Sequence, residues 1–123
     1  MSNLKMKLGI AMMLIAVLVL SACGKNNGNT IADGVTSMKA VLTEVQKAVD
    51  EGDAAKAKTE AANLEDAWAK FEDDVKDKSK DLYEKVETPL HAIEAGAGVD
   101  PLDKEVLTKS VTELNQVLDE LNK

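Results

Sequence analysis

Arginine is absent from this 123-residue chain, whose 15 basic residues are all lysine. Phosphate and base-edge recognition rely on basic patches and bidentate arginine, so no nucleic-acid partner is expected. Aromatic residues are scarce as well: Trp68, Phe71 and Tyr83 are the whole set. They are too few for a carbohydrate-stacking platform or a large apolar ligand pocket. A single cysteine, Cys23, excludes an intramolecular disulfide framework and a zinc site of the Cys/His type. The single histidine, His91, lies far along the chain from most of the few serines, a weak basis for nucleophilic catalysis. Neither a glycine-rich phosphate loop nor the spacing of a calcium-binding loop is present. Together these gaps argue against an enzyme. Met38 is the one methionine beyond the N-terminal segment, which excludes a methionine-rich copper site.

What is present begins at the N-terminus. Lys5 and Lys7 precede an apolar run over residues 8–20, followed by the small residues Ser21 and Ala22. A basic start, an apolar stretch and small residues at the cut is the order of a secretory signal. The run is shorter than the roughly 20 apolar residues a membrane-spanning helix needs. Leu20-Ser21-Ala22-Cys23 resembles the lipobox of bacterial lipoproteins, in which the cysteine is lipidated and becomes the first residue after cleavage. The alternative is an ordinary cleaved signal beside a chance cysteine. The resemblance implies a diacylglycerol on Cys23, whose two acyl chains meet the two-signal requirement for stable anchoring. The protein is then expected at the cell membrane, lipid-anchored and facing outside the cytoplasm.

On this reading residues 1–22 are a lipoprotein signal peptide and residues 23–29 the lipidated Cys23 with a polar tether. Residues 30–123 form one domain, of a size that builds a single core. Six tether residues reach at most about 20 Å, which places the domain close to the membrane and to membrane proteins. Beyond the signal, 13 lysines face 22 acids, a net charge of −9. That charge disfavours adhesion to anionic lipid, so the acyl chains must hold the protein there. It suits cations or basic partners, and it is equally an ordinary soluble surface.

From Thr30 onward the hydrophobic period is helical and no strand pattern competes. Ile31, Val35, Met38, Leu42, Val45 and Val49 make one stripe. Gly52 reads as a stop and Asp53 as the next cap. Ala57, Ala61, Leu64, Trp68, Phe71 and Val75 make a second stripe. Leu82, Val86, Leu90 and Ile93 make a third after the cap Ser79, ending at Gly96 to Gly98. Asp100 as cap with Pro101 in the first helical position starts a fourth, with Leu107, Val111, Leu114, Leu118 and Leu121 inward. The second and third segments could instead run together through residues 76–80. The expected fold is all-α, an antiparallel up-down four-helix bundle, because short links force antiparallel neighbours. Pro89 removes a backbone donor and crowds the carbonyl of Lys85. Either the third helix kinks there or it starts afresh with Thr88 as cap.

His91 and Glu94 stand three apart, so their side chains share a helix face, and Glu87 lies one turn earlier. An imidazole and a carboxylate on one turn can supply two ligands to a transition metal, with facing helices supplying the rest. A solvated, salt-paired histidine is the plainer alternative. Glu84 and Glu87 form a further Glu-x-x-Glu pair. Glu72, Asp73, Asp74 and Asp77 form an acidic cluster whose helical positions point several ways, as on a solvated face.

Three segments carry a second resemblance: Ala67-Trp68-Ala69-Lys70-Phe71-Glu72, Leu82-Tyr83-Glu84-Lys85-Val86-Glu87 and Leu90-His91-Ala92-Ile93-Glu94. They resemble the helical extracytoplasmic domains of bacterial iron-uptake systems, namely imelysin-like lipoproteins and the extracellular helical part of ferric iron permeases. The resemblance extends over about residues 41–121. Imelysin-like proteins carry a His-x-x-Glu motif proposed to bind metal, and His91 with Glu94 match it. The resemblance implies iron or another divalent or trivalent metal held by His91 and Glu94, with Glu87 or Glu72 nearby. An iron permease or other membrane protein would be the partner. The competing expectation is a metal-free helical interaction or scaffold lipoprotein that docks on a membrane or envelope partner.

Overall fold

The stripe that begins at Ile31 is the buried face of helix α1, Asn27–Glu51, in the computed structural model, which describes residues 27–123. Ile31, Val35, Met38, Leu42, Val45 and Val49 are all buried, joined by Ala48. Asn27, the first described residue, is already helical, inside the segment read as tether. The signal peptide, Cys23 and residues 24–26 lie outside the described residues.

α1 ends as its sequence suggests. Gly52 takes the left-handed conformation at φ 69°. Its N–H donates to the Val49 carbonyl at 3.0 Å and that of Asp53 to Ala48 at 2.9 Å. This paired arrangement satisfies two orphan carbonyls and favours glycine at the turn. Asp53 then caps α2, Ala54–Ala69, accepting from the Lys56 N–H at 3.0 Å.

The second stripe is buried throughout but not in one helix. The chain breaks at Lys70 and Phe71, and α3 spans Glu72–Lys78 before α4 begins at Lys80. Glu72, Asp73 and Asp74 fill the first turn of α3, and Lys76 and Lys78 its last. Three acids in mid-helix gain nothing from the helix dipole, whereas at a fresh N-terminus they offset it. Phe71 caps α3 without a side-chain bond. Its ring lies so close to α1 that a Cβ on Gly34 would come within 2.3 Å of Phe71 Cδ1. Only glycine leaves room for that contact.

Ser79 caps α4, Lys80–Ala97, accepting from the Leu82 N–H at 3.2 Å, so the helices before and after it do not run together. α4 passes through Pro89 without a fresh start. Thr88 lies within the helix, its hydroxyl donating to the Glu84 carbonyl at 3.1 Å, and Pro89 is buried. Leu82 is half-buried against the core, while Val86, Leu90 and Ile93 are buried as expected.

The last cap differs from expectation. α5 spans Lys104–Leu121 and its N-cap is Asp103, which accepts from the Val106 N–H at 3.2 Å; Asp100 and Pro101 lie in the preceding turn. Starting at Asp103 puts Leu102 immediately before the cap and Leu107 at the fourth helical position. Both pack with the core, the pattern of a hydrophobic staple. A start at Asp100 would have carried Leu102 into the first turn.

Among the described residues the secondary structure is all helical. α1 packs against α2 and α5, and α4 against α5 and α2, with α3 lodged against α1, α2 and α4. Every helix contributes to one contiguous apolar core. The Gln46 amide donates to the Thr108 hydroxyl at 3.1 Å, and Lys104 Nζ to the Asp50 carbonyl at 3.2 Å, pinning α1 to α5 at the rim. Exposed ion pairs such as Lys39 with Asp119 and Lys85 with Glu120 add little stability. No described helix is long and apolar enough to cross a membrane.

Candidate functional site

Glu87 follows the buried Val86 on α4, so its carboxylate flanks the core and its side chain is only 19% exposed. Three groups meet it there. The Trp68 indole N–H, projecting from the end of α2, donates to Glu87 Oε1 at 3.2 Å. Tyr83, one turn earlier on α4, is the second, and Glu87 is the main influence on its hydroxyl. His91 Nε2 lies 3.0 Å from Glu87 Oε2, a contact set by the four-residue spacing on one helix. Glu94 Oε1 is 4.0 Å from the same nitrogen. His91 stands at the solvent rim, 65% exposed, and Glu94 is partly covered.

All three aromatic residues gather behind this carboxylate. Trp68 meets Phe71 edge-to-face with ring centres 5.1 Å apart, and Tyr83 at 5.7 Å in a tilted arrangement. The Lys76 ammonium sits 5.4 Å from the centre of the Tyr83 ring. A hydrogen bond to Glu87, followed by burial and the Glu87 charge, pushes the Tyr83 hydroxyl up to about 12. Tyr83 therefore stays protonated as a donor at neutral pH.

Two more carboxylates lean on the cluster. Glu65 follows the buried Leu64 on α2, and its Oε2 is buried without a hydrogen-bond partner. Burial first, then the charges of Glu94 and Glu87, raise the Glu65 carboxyl above its ordinary value; His91 acts the other way. Glu72 on α3 is likewise raised, by burial and then by Glu87, Asp73 and Glu65. Four carboxylates from three helices thus share one electrostatic neighbourhood, with His91 at its edge.

His91, Glu94 and Glu87 come together as their spacing predicts. Glu72 joins them electrostatically from α3, not from the second long helix. The rest of its acidic cluster diverges: Asp73 and Asp77 are exposed, and Asp74 and Asp77 line a shallow cleft beside Ile31 and Leu121. Glu84 is exposed. The sequence reading missed Glu65 and the coupling of Tyr83 to Glu87. A usable signal for Glu65 was its spacing: 65, 68 and 72 form a helical row along the edge of the apolar stripe. Among the described residues no group of three or more His, Cys, Asp or Glu side chains is arranged to hold a metal ion. Cys23 lies outside those residues.

The fold defines an all-helical protein with an acidic, histidine-edged seam between α2, α3 and α4. No family model, curated protein or solved structure matches the chain.

Proposed function

We propose that this protein is a lipoprotein held at the cell membrane by a diacylglycerol on Cys23, facing outside the cytoplasm, and that it serves as an accessory metal-binding module in uptake. Its cargo is iron, which a carboxylate-rich set with one imidazole suits. In this reading α1, α2, α4 and α5 form an antiparallel up-down bundle, and α3 closes one end. The observation that carries the proposal is the buried Oε2 of Glu65, crowded by Glu94 and Glu87 among carboxyls raised by burial and mutual repulsion. A cation placed there offsets both costs. His91 and Glu94 are the ligands expected from the resemblance, with Glu65, Glu87 and Glu72 close by. No ligand set is preassembled, so binding requires side chains to re-orient. A site of that kind suits capture and release to a membrane partner such as an iron permease.

The exposure of Val99 and Val106, 57% and 50%, favours a second reading, a metal-free helical scaffold that docks a membrane or envelope partner through one end.

The two readings separate on titration of the full chain in detergent with ferric, ferrous, cupric and zinc ions, following Trp68 fluorescence and Tm. Metal uptake predicts a rise in Tm that grows with metal concentration and disappears in the double variant His91→Ala, Glu94→Ala. Identical responses of wild type and double variant to every metal would leave only the docking reading.

A further inference from the structure

Only residues 24–26 separate Cys23 from Asn27, where the chain is already helical. Four Cα–Cα steps reach at most about 14 Å, so whatever holds Cys23 also holds the start of α1. The contacts of α1 define which end of the protein that is. Near its start, Gly34 seats the Phe71 ring at the break between α2 and α3. Ile31 there shares a cleft with Asp74, Asp77 and Lys78 of α3 and with Leu121 and Lys123 at the end of the chain. Near its finish, the Asp50 carbonyl accepts from Lys104 Nζ at the start of α5. Ala54 and Ala55 lie in a shallow cleft with Ala97, Gly98 and Val99 at this second end. Val99 and Val106, the exposed large apolar residues, flank the turn between α4 and α5 there. The 25 residues of α1 span about 37 Å between the two ends, at about 1.5 Å per residue.

Charge is distributed unevenly about this axis. Two acids and two lysines line the cleft beside Ile31, out of 22 acids and 12 lysines among the described residues. The remainder is therefore twice as rich in acid as in lysine. A protein lying flat would press that excess along an anionic lipid surface, whereas one standing on its α3 end keeps most of it away. Tether length and charge thus favour the same placement.

We propose that the protein stands on the bilayer with its α3 end against the lipid headgroups, and that Val99 and Val106 are carried away from them. This rests on the diacylglycerol anchor at Cys23 proposed above and adds an orientation to it. Lys78 and Lys123, both exposed, are the cations that meet the headgroup phosphates. A partner that covers the two valines has to reach them from beyond the headgroup layer and not from within the bilayer.

The test uses the full chain, expressed with its signal and reconstituted into vesicles of phosphatidylethanolamine and phosphatidylglycerol containing a small share of nickel-chelating lipid. Intact mass establishes whether Cys23 carries diacylglycerol. With that thiol blocked, a nitroxide is placed on Asn122→Cys, Val99→Cys, Asn63→Cys or Thr112→Cys, all exposed positions. Asn122 marks the α3 end, Val99 the opposite end, and Asn63 and Thr112 the waist on α2 and α5. Headgroup nickel should relax the Asn122 label several-fold more strongly than the Val99 label, and the two waist labels weakly and alike. Strong relaxation at Val99, or at one waist label alone, means that the protein lies on the membrane and overturns the orientation with the anchor intact. A chain without lipid on Cys23 overturns the anchor reading and this orientation with it. The labels report separately, so the comparison stands if one variant folds poorly.

Discussion

At Glu65 the native fold holds a carboxyl where burial and the charges of Glu94 and Glu87 all favour the protonated form. The native state therefore binds this proton more tightly than the unfolded chain does. The linkage relation then fixes the sign: the stability associated with the group is complete below its ordinary value of 4.5 and is lost as pH rises through the raised one. Glu72 acts in the same direction. Glu65→Gln removes the ionisation and keeps the shape of the side chain. The variant should melt at a higher temperature than wild type at pH 7, and the advantage should vanish near pH 4, where the wild-type carboxyl is neutral as well. Melting curves at both pH values check this, and a variant less stable at pH 7 would contradict it. At this scale the sequence was partly legible. The i, i+3 and i, i+4 contacts of His91 follow from the period of one helix, whatever surrounds it. The Glu65–Glu94 and Trp68–Glu87 encounters needed a second helix, whose rotation about its own axis no spacing specifies.

Helix boundaries were legible where a cap and a stop coincide, and ambiguous where two caps compete. Gly52 with Asp53 is a stop followed at once by a start, and both operate as read. Asp100 and Asp103 lie three residues apart, and each precedes a plausible first turn. Local preference favoured Asp100, because Pro101 follows it. Packing of Leu102 and Leu107 against the core decided for Asp103. The second break, at Phe71, was hidden because the apolar row 64, 68, 71, 75 keeps its helical period across it. What marks the break is the charge order of α3, acids first and lysines last. The cap assignment is open to direct test. Asp103→Ala should cost about 0.5–2 kcal/mol, the usual loss for an N-cap, whereas Asp100→Ala should leave stability nearly unchanged. Urea denaturation of the two variants measures the difference, and a larger loss for Asp100→Ala would restore the earlier start.

Among the described residues, the stripes of the five helices converge on one core. The all-α class was legible because periodicity depends only on the chain's own order of residues. The position of α3 was not, because it depends on Phe71 seating against Gly34, a contact between residues 37 apart. A single core predicts cooperative unfolding, as small domains of this size usually show. Trp68 makes that prediction measurable. It is fully buried at the end of α2, touches Phe71 and Tyr83, and is the only tryptophan in the chain, so its fluorescence reports on the seam of α2, α3 and α4 alone. Far-ultraviolet circular dichroism instead follows the five described helices together. If the seam is continuous with the core formed by α1 and α5, the two signals share one midpoint and one slope in urea. If the acidic crowding around Glu65 and Glu72 makes the seam a separately yielding unit, the Trp68 transition comes first, and more so at pH 7 than near pH 4. Coincident curves at both pH values would show that the core absorbs the electrostatic cost of the site as one unit.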